Sequence, residues 1–323
     1  MLLLLAGVFT AMLADLPTWT AVTLLTGAGG VLSALAAGVF LALPGTVRQR
    51  AIPHLLSYAT GALLGAALGG LLPEAIEAMV ALRGSAAPHR AGLLLLGGVL
   101  LFFTLEKLVL WRHCHDPSHD PGHDHGIAFT PVPESAVRGL GHVDLHEHGP
   151  DCGHGHHGHP LRRAGDGRPL SGARARAAAM LALAGDTLHN FLDGVVIAVA
   201  WLSDPAVGIA TAVAVFAHEI PQEVGDLAVL LHGGFSRARA LWLNTLSSAA
   251  AVAGGLLGVF FLGRASSLLP DVMTVAAASL LYVAVADLIP GLHQRVDPKA
   301  AFTQLVLMAA GLATVLLLGP SHG

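Results

Sequence analysis

Residues 177–231 read AAAMLALAGDTLHNFLDGVVIAVAWLSDPAVGIATAVAVFAHEIPQEVGDLAVLL. Two apolar runs of roughly 25 residues are separated by Ser203, Asp204 and Pro205, and as a helix each is long enough to cross a hydrocarbon core of ~30 Å. The stretch therefore reads as two membrane helices joined by a tight turn. Further runs of the same kind lie at 19–43, 54–76, 91–111, 238–262, 268–290 and 301–318. Together with 177–202 and 206–231 they give eight predicted spans, helices one to eight. Residues 1–16 (MLLLLAGVFTAMLADL) are also apolar, but they are short and lack the basic start of a secretory signal. They are a candidate ninth helix or an interfacial segment. Composition agrees, with 54% hydrophobic and only 12% charged residues and a mean hydropathy of +0.67. A soluble domain carries about twice that charge, so a soluble enzyme is excluded. No run alternates with period two, which excludes an outer-membrane barrel. The fold class is an all-α integral membrane protein, and a net charge of −4 points to no nucleic-acid partner.

Lys and Arg fix the expected orientation, because basic residues collect on the cytoplasmic side. Of the 17, 14 lie in gaps one-two, three-four, five-six and seven-eight, and the opposite face holds Arg83, Arg90 and Arg264. The start of helix one and the end of helix eight are thus placed outside the cytoplasm, in a plasma (inner) membrane if the source is prokaryotic. Three regions follow: 1–111, with the N-terminal segment and helices one to three; 112–176, a polar loop; and 177–323, with helices four to eight. The loop is rich in Gly, Pro and His without apolar periodicity, and reads as disordered and cytoplasmic. It holds twelve of the nineteen histidines and both cysteines. His113, Cys114, His115, Cys152, His154, His156, His157 and His159 form its densest soft-ligand groups, suited to accessory metal binding in a reducing compartment. A solvated spacer with incidental histidines is the other reading.

From Ala177 to Ser236 there is no Lys or Arg, yet the two helices carry five carboxylates: Asp186, Asp193, Glu219, Glu223 and Asp226. One carboxylate at bilayer centre costs about 2.5–3.5 kcal/mol on the lenient insertion scale. The missing counter-charge must be protons, a metal ion or both. Residues four apart share a helix face, so His189 with Asp193 and His218 with Gln222 each project from one side, with Asn190 and Glu219 alongside. Facing one another, they offer a donor set suited to Zn²⁺ and other first-row divalent ions. Pro221 removes an amide donor and frees the Ala217 carbonyl, so a break in helix five is expected there, lining a polar cavity.

The segments His189-Asn190-Phe191-Leu192-Asp193-Gly194 and His218-Glu219-Ile220-Pro221-Gln222-Glu223-Val224-Gly225-Asp226 closely resemble the paired signature of the ZIP family of divalent metal transporters. They look most like its LIV-1 branch, with motifs of the form HNFxDG and HExPHExGD. The likeness extends to the His-rich loop, to Leu71–Glu74 ending helix two and to Tyr282–Pro290 in helix seven. It implies a transporter and not an enzyme, without a resident cofactor, that takes up Zn²⁺ or the related ions Fe²⁺, Mn²⁺ and Cd²⁺. The implied site, for one or two ions, is formed by His189, Asn190, Asp193, His218, Glu219 and Gln222, with Glu223 beside it. Asp186, Asp226, Asp287 and His293 are pathway candidates. A second copy of the chain is a candidate partner beside the ions and the bilayer. Two departures stand out: the branch's second helix-five His is Gln222 here, a weaker neutral ligand, and Ala66 and Gly70 stand where the branch often has Asp and His.

Gly70-Leu71-Leu72-Pro73 in helix two echoes Asp287-Leu288-Ile289-Pro290 in helix seven. The two helices run oppositely under this topology, as an inverted repeat of helices one to three and six to eight around four and five requires. The rival class is an intramembrane zinc protease, for which Leu192-Asp193-Gly194 and His218-Glu219 supply fragments. Gln222 denies it the second His of a His-Glu-x-x-His clamp. A metal exporter fits the site chemistry equally, since spacing carries no direction.

Overall fold

The computed structural model of the chain describes residues 10–114, 172–293 and 297–319. Among these there is no strand, and the long helices follow the apolar runs: α1 Thr18–Ala42, α2 45–83, α3 Ala87–Cys114, α4 Gly172–Ser203, α5 Pro205–His232, α6 Arg237–Leu262, α7 Ser266–Leu292 and α8 Pro298–Leu318. Residues 10–14 are also helical, so the N-terminal segment ends in a helical turn before Pro17. The expectations for the loop at 115–171 fall outside the described residues, while its two ends are helical instead of disordered, α3 running on to Cys114 and α4 starting at Gly172.

Helix starts are set by local chemistry. The Asp204 side chain accepts from Ala206 N at 2.7 Å, and Pro205 sits at the first turn, where its missing N–H costs nothing. Asp297 caps α8 in the same way, accepting from Ala300 N at 3.1 Å ahead of Pro298. Five stretches are long and apolar enough to cross a membrane: Thr18–Ala42, Gly45–Leu108, Arg237–Leu262, Ser266–Leu292 and Pro298–Leu318. α4 and α5 are 32 and 28 residues long, but their polar side chains lower their hydropathy. They are shielded by the others and pack on one apolar core that includes Leu63, Leu71, Ile197, Val199, Val215, Met273 and Leu280.

Prolines act differently from expectation. α5 stays α-helical straight through Pro221, so no break lines the site there. The backbone is disturbed elsewhere: π-helical turns occupy Gly65–Leu71 in α2 and Val283–Leu288 in α7. Each ends two residues before a proline, Pro73 and Pro290, in the two sequences that echo one another. Proline cannot bond the carbonyl four residues back, at Gly69 and Ala286, and the wider turn absorbs that loss.

Two helix pairs cross with main chain against main chain. Gly194 of α4 lies on Ala251 of α6 and Gly254 of α6 on Phe191 of α4, while Gly61 of α2 lies on Met308 of α8 and Gly311 of α8 on Tyr58 of α2. A Cβ at any of the four would overlap backbone, which is the close approach that small residues permit in membranes. At one end of the bundle Arg83 of α2 and Arg90 of α3 donate four hydrogen bonds of 2.7–3.0 Å to Asp271 at the start of α7. Two of the three basic residues assigned to the outer face are thus paired with one carboxylate.

Candidate metal centre

α4 and α5 pack side by side and bring His189, Asp193, His218 and Glu219 together, one ligand atom of each lying within 4.8 Å of all the others. His189 Nε2 is 3.3 Å from His218 Nε2 and 3.7 Å from both Asp193 Oδ2 and Glu219 Oε1. His218 Nε2 is 3.2 Å from Asp193 Oδ2 and 3.6 Å from Glu219 Oε1. A tetrahedron with metal–ligand bonds of 2.0–2.1 Å has edges of about 3.3–3.4 Å, and these five separations, 3.2–3.7 Å, lie near that spacing.

The groups are poised as ligands. Asp193 Oδ2 and both carboxylate oxygens of Glu219 are buried and accept no hydrogen bond. Uncompensated carboxylates in an apolar core are costly, and a divalent cation is the group that offsets both at once. His218 Nδ1 lies 3.3 Å from the Ala214 carbonyl, a contact only the Nδ1–H form can make, and this tautomer leaves the Nε2 lone pair facing the cluster. His218, Asp193 and Glu219 side chains are at most 3% exposed, whereas that of His189 is 24% exposed. His189 is thus the one member of the four at the edge of the buried core.

The other expected residues lie around these four. The Gln222 amide nitrogen lies 3.5 Å from Asp186 Oδ1. Asn190 also turns its amide nitrogen to Asp186 Oδ1, at 3.0 Å, while its own Oδ1 is buried without a partner. Asp226 meets Asp186, and Glu223 faces α6. Asp287 lies on the π turn of α7 within electrostatic reach of His189, His218 and Glu106 of α3, and the Tyr282 hydroxyl donates to Glu106. His293 is exposed at the end of α7. Missed from sequence were Asn244, Ser247 and Ser248 of α6, which serve Asp186 and Glu223. Their signal was polar residues at i, i+3 and i+4 on an otherwise apolar span.

A helical membrane-spanning protein that gathers two imidazoles and two buried carboxylates between its helices has the donor set of the class that handles divalent transition metals within the bilayer. Comparison with known proteins sharpens this: the family model described as ZIP Zinc transporter matches residues 17–319, and the chain belongs to that family. It is an integral membrane protein of a metal-transporting family. It is similar to human zinc transporter ZIP13, 29% identical over 289 residues that make up 82% of this chain and 70% of the relative. Human zinc transporter ZIP5 is 33% identical over 262 residues, 74% of this chain and 46% of the relative. Human zinc transporter ZIP4 is 40% identical over 137 residues, 42% of this chain. The chain spans less than half the length of ZIP5 and about a fifth (21%) of that of ZIP4.

Proposed function

We propose that the protein moves Zn²⁺ across its membrane into the cytoplasm, with His189, Asp193, His218 and Glu219 as the ligands the ion occupies in transit. The observation that carries this is the set of buried carboxylate oxygens, Asp193 Oδ2 and Glu219 Oε1 and Oε2, left without hydrogen bonds within reach of two imidazoles. The transported ion is the counter-charge that the protein itself lacks. Fe²⁺, Mn²⁺ and Cd²⁺ are secondary substrates of the same donor set, and Asp287 and His293 lie on the way out. Uptake is carried over from the family resemblance, and the basic loops place the His-rich loop as a reservoir at the cytoplasmic mouth.

Transport and not proteolysis is the reading favoured here. A zinc protease needs three protein ligands and an open position for water beside a general base, whereas with Gln222 in place of a second His the motif on α5 offers only the His218 imidazole. Proteoliposomes holding the purified chain and a zinc-sensitive dye test the assignment. His189→Ala and His218→Ala are expected to abolish dye response while the protein still inserts and elutes as a folded species. Normal flux in both variants sinks it, and cleavage of a membrane peptide by the wild type makes the chain an enzyme instead. Reversed gradients in the same vesicles separate uptake from export.

A further inference from the structure

Three side chains of α6 lie behind the metal cluster. Ser247 Oγ donates to Asp186 Oδ2 at 2.6 Å and can accept in turn from Thr187 Oγ1 at 2.7 Å. Ser248 Oγ donates to Glu223 Oε1 at 2.5 Å, and Asn244 Nδ2 donates to Glu223 Oε2. With Asn190 and Gln222 on Asp186 Oδ1, every oxygen of these two carboxylates is engaged. Asp186 is one helical turn from Asn190, and Glu223 is one turn from Glu219. Without its α6 donors Glu223, whose side chain leans toward the preceding turn that carries Glu219, is free to turn toward the cluster, and Asp186 is released beside Asn190.

We propose that Asn244, Ser247 and Ser248 are positioning residues that hold Asp186 and Glu223 out of the ion's coordination shell, and thereby set metal preference. This rests on the reading of His189, Asp193, His218 and Glu219 as the transport site. Two imidazoles and two carboxylates suit Zn²⁺; each additional oxygen ligand raises the coordination number and favours harder, oxygen-preferring ions such as Mn²⁺. The α6 donors are themselves buried, so a carboxylate that turned away would leave unpaired polar groups behind, and that cost holds it in place. The donors also travel with α4, since α4 and α6 cross at Gly194 and Gly254 with backbones in contact.

The test is competition between Mn²⁺ and Zn²⁺ on the purified full chain in detergent, compared across variants. The loop histidines are the same in every protein, so differences between isotherms belong to the helices. In Ser247→Ala/Ser248→Ala the ratio of Mn²⁺ to Zn²⁺ affinity is expected to rise about tenfold or more, the change a single added oxygen ligand should make, and Ser247→Thr/Ser248→Thr is expected to restore the wild-type ratio. A hydroxyl needed only for packing would change stability and leave that ratio alone. An unchanged ratio in the folded double variant overturns the proposal. Should the double variant fail to fold, Ser248→Ala removes one hydrogen bond and must shift the ratio the same way by a smaller factor; a wild-type ratio there overturns it too. His189→Ala/His218→Ala runs alongside, and a zinc isotherm unaltered by that change removes the site reading itself, and the proposal with it.

Discussion

Glu219 and Glu223 sit one turn apart on the same helix, both fully buried, and the protein treats them in opposite ways. Glu219 accepts no hydrogen bond and faces two imidazoles, while Glu223 receives Ser248 and Asn244. Desolvation costs the two carboxylates alike, so the difference lies in what offsets it. Glu223 is balanced by the fold, and under the proposed function Glu219 is balanced by the ion. A buried acid with all its acceptors filled is structure; one with none filled is a vacancy for charge, and the distinction rests on α6 and not on α5.

The comparison can be broken most decisively by exchanging the two roles. Glu219→Ala is expected to cut zinc flux by about 100-fold or more while leaving metal-free stability unchanged or raised, because it removes a carboxylate with no compensating donor. Glu223→Ala is expected to do the reverse, lowering stability by about 1–3 kcal/mol through orphaned donors while retaining flux in the protein that folds. Thermal unfolding in detergent with and without Zn²⁺ reads both. At a free ion concentration of 100 Kd the metal adds about 2.7 kcal/mol to a protein that binds it, an increment expected in Glu223→Ala and absent in Glu219→Ala. Equal behaviour of the two variants would erase the contrast.

Gln222→His gives a smaller change. An imidazole one turn after His218 is a better ligand than an amide that leans on Asp186, so half-saturation should fall several-fold with an equal or lower maximal rate, the ion being held longer. An unchanged half-saturation places position 222 outside the ion's reach. The least effect is expected from deleting 115–160, which should leave flux within about twofold, since the site is built wholly by helices. The isolated loop peptide should bind several Zn²⁺ near pH 7 and release them toward pH 5, because neutral imidazole and thiolate ligands are lost on protonation. Calorimetry checks it, and loss of flux in a folded deletion would bring the loop into the pathway.

The spans were readable because twenty apolar residues in a row have few alternatives, and Ser203-Asp204-Pro205 announced the α4–α5 turn by capping chemistry. The four central donors were readable because i, i+4 spacing fixes which residues share a face. Spacing does not say which helix stands opposite. For that reason the service of Asn244, Ser247 and Ser248 to Asp186 and Glu223 went unseen. Asp271 was opaque for the same reason: its partners Arg83 and Arg90 lie more than 180 residues away in the chain. Pro221 misled because a helix braced by neighbours can carry a proline without opening.

The π turns of α2 and α7 can be described in the language of insertions and deletions. A π turn is an α-helix holding one residue too many, so removing a single residue from Gly65–Leu71 would heal the helix. The residues beyond would keep their phase, whereas winding the same sequence as an unbroken α-helix would rotate them by about 100°, the angle one α-helical residue occupies. Arg83 would then swing off Asp271 and the α2–α3 turn would lose its anchor on α7. The surplus residue is therefore a phase setting: it lets the glycine face of α2 meet α8 and its far end meet α7, two contacts that an uninterrupted helix of this sequence would hold out of step.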